Sequence, residues 1–206
     1  MPDPRHDTTP ATGEVTDPRA MRALAHPLRL ALLDLLAVEG TATATRCAEL
    51  LGESQASCSF HLRQLAKYGF VEEAQPASWR ERPWRLTSVS QRWSSLHTDP
   101  SGVLAAAELG RVFVEREAAR LLAWHRTSTA WPPAWQQAAK VSTTPVWLTA
   151  AELEEVTARL VQVAVEVEDR RRERVDDPAT RPADARPVRL LVAGYPLPDV
   201  EPSTDG

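Results

Sequence analysis

The 206 residues predict an α+β fold, mainly α-helical, with an N-terminal domain of helices closed by a hairpin and a small α/β C-terminal module. Three observations support this. Two short amphipathic stretches, 44–51 and 54–68, are joined by only a few residues around Gly52. Two strand-like runs, 70–74 and 82–86, flank a loop rich in Arg and Pro. A long helical pattern after Thr149 lies between two strand-like runs, 146–148 and 188–195.

In chain order, residues 1–15 contain three prolines and no periodic apolar pattern, so they are expected to be a disordered tail. Asp17-Pro18 reads as an N-cap followed by proline at the first helical position. Met21, Leu24, Leu28, Leu32, Leu35 and Leu36 continue at helical spacing, and Pro27 should bend or restart that helix at His26. Ala44, Cys47, Ala48 and Leu51 form one apolar face, and Gly52 permits a sharp exit. Ser54 is suited to cap the next helix, on which Cys58, Leu62 and Leu65 must face inward. Ala56, Phe60, Arg63, Gln64 and Lys67 then turn outward, with Gln55, Ser57 and Ser59 beside them, and small, amide and basic side chains suit the reading of a DNA groove. Tyr68-Gly69 ends the helix, and the hairpin follows as a wing.

Three stretches, Leu24 to Leu33, Cys47 to Gly52 and Ser54 to Leu62, together resemble the ArsR-type winged helix-turn-helix regulators. The resemblance covers about a third to two-fifths of the chain. It implies a dimeric bacterial transcription regulator whose second motif helix enters the major groove. Phe60 departs from the family, which usually has a basic residue there. Metal-sensing members carry cysteines where this chain has Thr43 and Thr45, and the helix after the wing offers only His125, so metal sensing does not transfer.

Ser88 with Gln91 reads as a capping box for a short connecting helix through Trp93, and the polar break at 97–100 as a domain boundary. The domains expected are therefore 16–97 for the winged helix and 98–200 for the C-terminal module, with a tail from 201 to 206. Asp99-Pro100 starts a helix to about Arg126 carrying Val103, Ala106, Gly110, Phe113, Glu117, Leu121 and Trp124. Residues 127–144 are too proline-rich to be helical throughout. Val146-Trp147-Leu148 reads as a strand, and Thr149 with Glu152 as a capping box. Leu153, Val156, Leu160, Val163 and Val167 repeat at the spacing of helix pairing or of ordinary packing. Val188 to Tyr195 reads as a second strand, stopped by Pro196.

The net charge of −4 is unevenly distributed. Residues 16–93 hold ten basic and eight acidic side chains, whereas 1–15 and 94–206 carry −2 and −4. Arg80, Arg82, Arg85 and Arg92 gather around the wing, where a positive patch would meet phosphates. No apolar run approaches the ~20 residues of a membrane span, and no export signal is evident, so a cytoplasmic location is expected. Cys47 and Cys58 read as small core residues.

No catalytic motif is recognised, so an enzyme is not expected, and neither is a cofactor or a metal. The leading reading is a sequence-specific regulator of double-stranded DNA, acting as a homodimer. Its DNA contacts are expected from Ser54, Gln55, Ala56, Ser57, Ser59, Phe60, His61, Arg63 and Lys67, with Arg80 and Arg82 on the wing. Val103, Phe113 and Leu121, or Leu153, Val156, Leu160 and Val163, are the expected dimer contacts. Trp124, Trp131, Trp135 and Trp147 could line a pocket for a small apolar or aromatic effector, or simply be core. The alternative function is a winged helix used for protein contacts without specific DNA binding.

Overall fold

The computed structural model describes residues 14–75, 82–87, 92–93 and 97–197. The element order is β1 (Glu14–Val15), α1 (Pro18–Leu24), α2 (Pro27–Glu39), β2 (Thr41–Thr43), α3 (Ala44–Leu51), α4 (Gln55–Lys67), β3 (Val71–Glu73), β4 (Pro83–Leu86), β5 (Arg92–Trp93), α5 (Pro100–Thr127), α6 (Pro133–Ala138) and α7 (Ala150–Asp176). The fold is α+β and mainly α. The chain divides into two compact units, residues 1–130 and 131–206, each described here by itself.

In the first unit, every helix start has a chemical cause. Asp17 accepts from the Arg19 amide at 2.8 Å, with Pro18 at the first position of α1. His26 restarts the helix at Pro27 by accepting the Leu28 amide on Nδ1 at 3.2 Å, which makes the expected break at His26 two separate helices. Gly52 ends α3 in the left-handed region at φ 69°, with nothing near the site of an added Cβ, so its backbone angle is what requires glycine. Ser54 then caps α4 by accepting the Ser57 amide at 3.1 Å.

The three-stranded sheet has the order β2-β4-β3, both pairs antiparallel, with Ala42 opposite Trp84 and Glu72 opposite Arg85. The wing strands are those expected; β2, only Thr41-Ala42-Thr43, is a further strand too short to show an alternating pattern in the sequence. The core joins Met21, Leu24, Leu32, Leu33, Leu36, Cys47, Cys58, Leu62, Leu65, Val71, Trp84 and Leu109. Burying a Leu side chain contributes about 1.5–3 kcal/mol, so α4 is held chiefly by Leu62 and Leu65.

Two expectations about the flanks need correction. Arg92–Trp93 is a strand, not the end of a helix, and it pairs in parallel with Glu14–Val15, at the end of the segment read as a tail. Val15 and Trp93 pack on the core, and Trp93 meets Phe113 edge-on at 5.2 Å, which explains the pairing. Residues 88–91, where that helix was expected to begin, lie outside the described residues.

The helix α5, which follows the polar break near 97, falls in the first compact unit. Its buried face is Gly102, Ala105, Ala106, Leu109, Val112 and Glu117. Asp34 of α2 accepts from Arg116 and from Arg120 (2.7 Å), and Arg120 also donates to Glu117 at 3.0 Å. Glu117 is 4% exposed and Arg116 15%, so this is a tie of partly buried charges between two helices.

The second unit contains α6 and α7. The capping box at Thr149 is complete: the Thr149 amide donates to Glu152 at 2.8 Å and the Glu152 amide to Thr149 Oγ1 at 3.3 Å. Among the described residues from 131 to 197 there is no strand, so the α/β character expected of this module is not present. Neither Val146–Leu148 nor Val188–Tyr195 has a ladder partner; instead, Gly194 comes so close to α7 that an added Cβ would lie 2.9 Å from Thr157 and 3.1 Å from Leu153.

Removing Asp34 would leave Arg116, in a mostly buried position, with only the more distant Glu117 carboxylate at 3.9 Å as counter-charge. Asp34→Ala is expected to destabilise the first unit by about 3 kcal/mol, measured by urea unfolding, with Asp34→Asn costing less.

Candidate nucleic-acid interface

The outward surface of α4 is set by its inward one. Cys58, Leu62 and Leu65 are fully buried. Gln55, Ala56, Phe60, Arg63 and Lys67 are consequently exposed, with Ser59 half-buried among them. These residues form one continuous face of amide, small, aromatic and basic groups. Ser54 and Ser57 lie at the start of α4 and are engaged in the cap, the Ser54 hydroxyl with the Ser57 amide.

Phe60 is 51% exposed, and its ring meets His61 edge-on at 5.1 Å. His61 itself departs from the expected contact set. It is half-buried, and its ring lies against that of His26, tilted by 38° at 4.4 Å between centroids, with its Nδ1 buried and without a hydrogen-bond partner among the described residues. The Arg29 Nε is buried and unpartnered in the same way. Sequence spacing could not reveal this pair, because His26 and His61 belong to different helices brought together only by packing of α2 on α4.

On the wing, Arg82 is exposed, whereas Arg80 lies outside the described residues. Arg85 is engaged across the sheet with Glu72, at 2.8 and 2.9 Å, which cancels its charge locally. The described cations of the outer surface are thus Arg63 and Lys67 on α4 and Arg82 at the foot of the wing.

The remaining expected residues separate by surroundings. Val103 (47%) and Leu121 (41%) are exposed on α5, while Phe113 is half-buried against Trp93. On α7 Leu153 is half-buried, and Val156, Leu160 and Val163 are exposed. Trp124 lies on α5 in the first unit, and Trp131, Trp135 and Trp147 lie in the second. Trp131 and Trp135 meet edge-on at 6.4 Å, and Trp147 is 75% exposed, so its indole encloses nothing.

Thr43 caps α3, accepting the Arg46 amide at 3.1 Å, and among the described residues no group of three His, Cys, Asp or Glu side chains is placed to hold a metal ion. Burial pushes the Cys47 thiol up to about 11, which keeps it protonated at neutral pH. Among the described residues no helix is long and apolar enough to cross a membrane.

Residues 24–74 match a family model described as a helix-turn-helix domain. No curated protein matches the chain. The matched segment runs from the end of α1 through β3 and contains the whole of α4, so the coarse function it supports is DNA-binding regulation of transcription.

Burial, then Arg29, holds the His26 imidazole below its ordinary value of 6.5, and burial, then His26 and Arg29, does the same for His61, with Glu53 opposing in both cases. Both rings are therefore neutral in the folded protein at neutral pH, and acid unfolding takes up protons. Their contribution is present above pH 6.5 and is lost as pH falls through the lower folded-state values. The melting temperature should fall from about pH 7.5 to about pH 5, and less steeply in a His26→Asn, His61→Gln variant.

Proposed function

We propose that this protein is a sequence-specific, dimeric transcription repressor that reads the major groove of duplex DNA with α4 and contacts phosphates with the wing. The observation that supports this best is the outward face of α4, where Gln55, Phe60 and Arg63 stand exposed with half-buried Ser59 beside them, within a segment that matches a helix-turn-helix domain. Gln and Arg are the side chains that form bidentate contacts with adenine and guanine edges, and an apolar ring such as Phe60 suits a thymine methyl. Lys67, at the other end of the face, and Arg82 are placed for backbone contacts.

One such helix reads only a few base pairs. Symmetric half-sites about 34–36 Å apart need two, so the reading includes a second copy of the chain. The resemblance to ArsR-type regulators favours the same assembly and repression over activation.

The exposure of Phe60 favours a second reading, in which α4 docks on a protein. Salt dependence separates the two: groove binding through phosphates weakens steeply as salt rises, with a slope set by the number of contacts. Weak binding to every duplex, without salt dependence, would leave only the protein-contact reading.

Selection of genomic fragments by the purified protein would supply the operator. On it, Arg63→Ala should cost about 1–3 kcal/mol and much less on random duplex. Arg82→Ala should weaken both alike and lower the salt slope by about one. Fluorescence anisotropy titrations at several salt concentrations check both, and equal losses for both variants on both duplexes would contradict the division of roles.

A further inference from the structure

The helix α7 carries apolar residues around a broad face, and only half of that face is covered. Leu153, Thr157, Val161, Ala164, Glu168, Arg171 and Val175 form its half-buried side, against which Gly194 lies closely. The adjoining stripe of Val156 (41%), Leu160 (49%), Val163 (56%) and Val167 (36%) is exposed, and α7 has no buried residue. An apolar stripe of this length, spaced 4-3-4, needs a cover.

We infer that the cover is α7 of a second copy, packed antiparallel about a two-fold axis between Leu160 and Val163. The charges beside the stripe select both the partner and its direction. On the open flank stand Glu152, Arg159, Glu166 and, near the end, Arg170, so the first turn is acidic and the far end basic. With the axis between 160 and 163, Leu160 lies beside the partner's Val163 and Val156 beside the partner's Val167. Like flanks meet in an antiparallel helix pair, so Arg159 faces the partner's Glu166, and Arg170 approaches the partner's first turn, where Glu152 stands. Among the described residues Arg159, Glu166 and Arg170 have no ion pair, although Glu166 and Arg170 stand four apart on one helix. A parallel pair would bring the open flank of one copy against the opposite flank of the other, the one its own chain occupies at Gly194. The two-fold also matches the symmetry that paired half-sites demand.

This inference rests on the dimeric part of the proposed function and names its seam. The test uses the full-length protein and its dimer dissociation constant from sedimentation equilibrium. Leu160→Glu should raise that constant by about a hundredfold. Arg159→Glu should raise it by about tenfold, with the helical circular dichroism retained, and adding Glu166→Arg should restore it. Residues 159 and 166 are seven apart and do not meet on one helix, so recovery requires pairing between copies. A stripe covered by the chain's own first unit would instead lower the melting temperature of Leu160→Glu without changing the dissociation constant, and this would overturn the inference. An unchanged constant in Arg159→Glu, or no recovery in the double variant, would overturn it equally. A wild-type dimer with this behaviour that binds no DNA would leave the seam intact and remove the DNA reading; an operator-binding monomer would do the reverse.

Discussion

The rotational setting of α4 is the constraint on which the site depends. Cys58, Leu62 and Leu65 are buried completely, and turning the helix to expose any of them would forfeit about 1.5–3 kcal/mol for each leucine. With that stripe fixed, Phe60, Arg63 and Lys67 have only the outer surface left to occupy. The left-handed Gly52 and the Ser54 cap add the second condition, since they set where α4 begins relative to α3. A short turn with defined chemistry and a buried stripe are together sufficient to present an ordered row of polar side chains to a groove.

Charge is used in two ways in the first unit. Where it is partly buried, as at Asp34, Arg116, Arg120 and Glu117, it joins α5 to α2 and offsets its own desolvation only because every member has a partner. Where it is exposed, pairing decides availability: Arg85 is committed to Glu72, while Arg63 and Arg82 keep their charge for the outside. Local net charge therefore says less about a nucleic-acid surface than which cations remain unpaired on one face. The paired His26 and His61 add a further device, two neutral rings in contact where the start of α2 meets α4, whose protonation opposes folding.

The two units differ in how they are stabilised. The first closes a core of buried side chains from α1 to α5, including completely buried Met21, Leu24 and Leu109. In the second, α7 starts from a well-formed capping box but buries none of its residues, and the apolar run from Val188 to Val192 is largely exposed. Local signals can start and stop such a helix; they cannot supply the surface that makes its apolar face favourable, which is why association of α7 with another copy carries weight.

Local chemistry alone determined most of the first unit and the start of α7 in the second: the caps at Asp17, Ser54, Asp99 and Thr149, the restart at His26, the turn at Gly52 and the inward stripe of α4 all follow from side chains within a few residues of one another. Pairing between distant segments was decided by the tertiary structure. It made Thr41–Thr43 and Arg92–Trp93 into strands, because a strand exists only where a partner supplies its hydrogen bonds, and it left Val146–Leu148 and Val188–Tyr195 without ladders for the same reason. It also turned His61 from a groove-facing candidate into the partner of His26, and placed Phe113 against Trp93 and α5 with the first unit. Periodicity states that a face is apolar; which neighbour covers it depends on contacts between residues far apart in the chain.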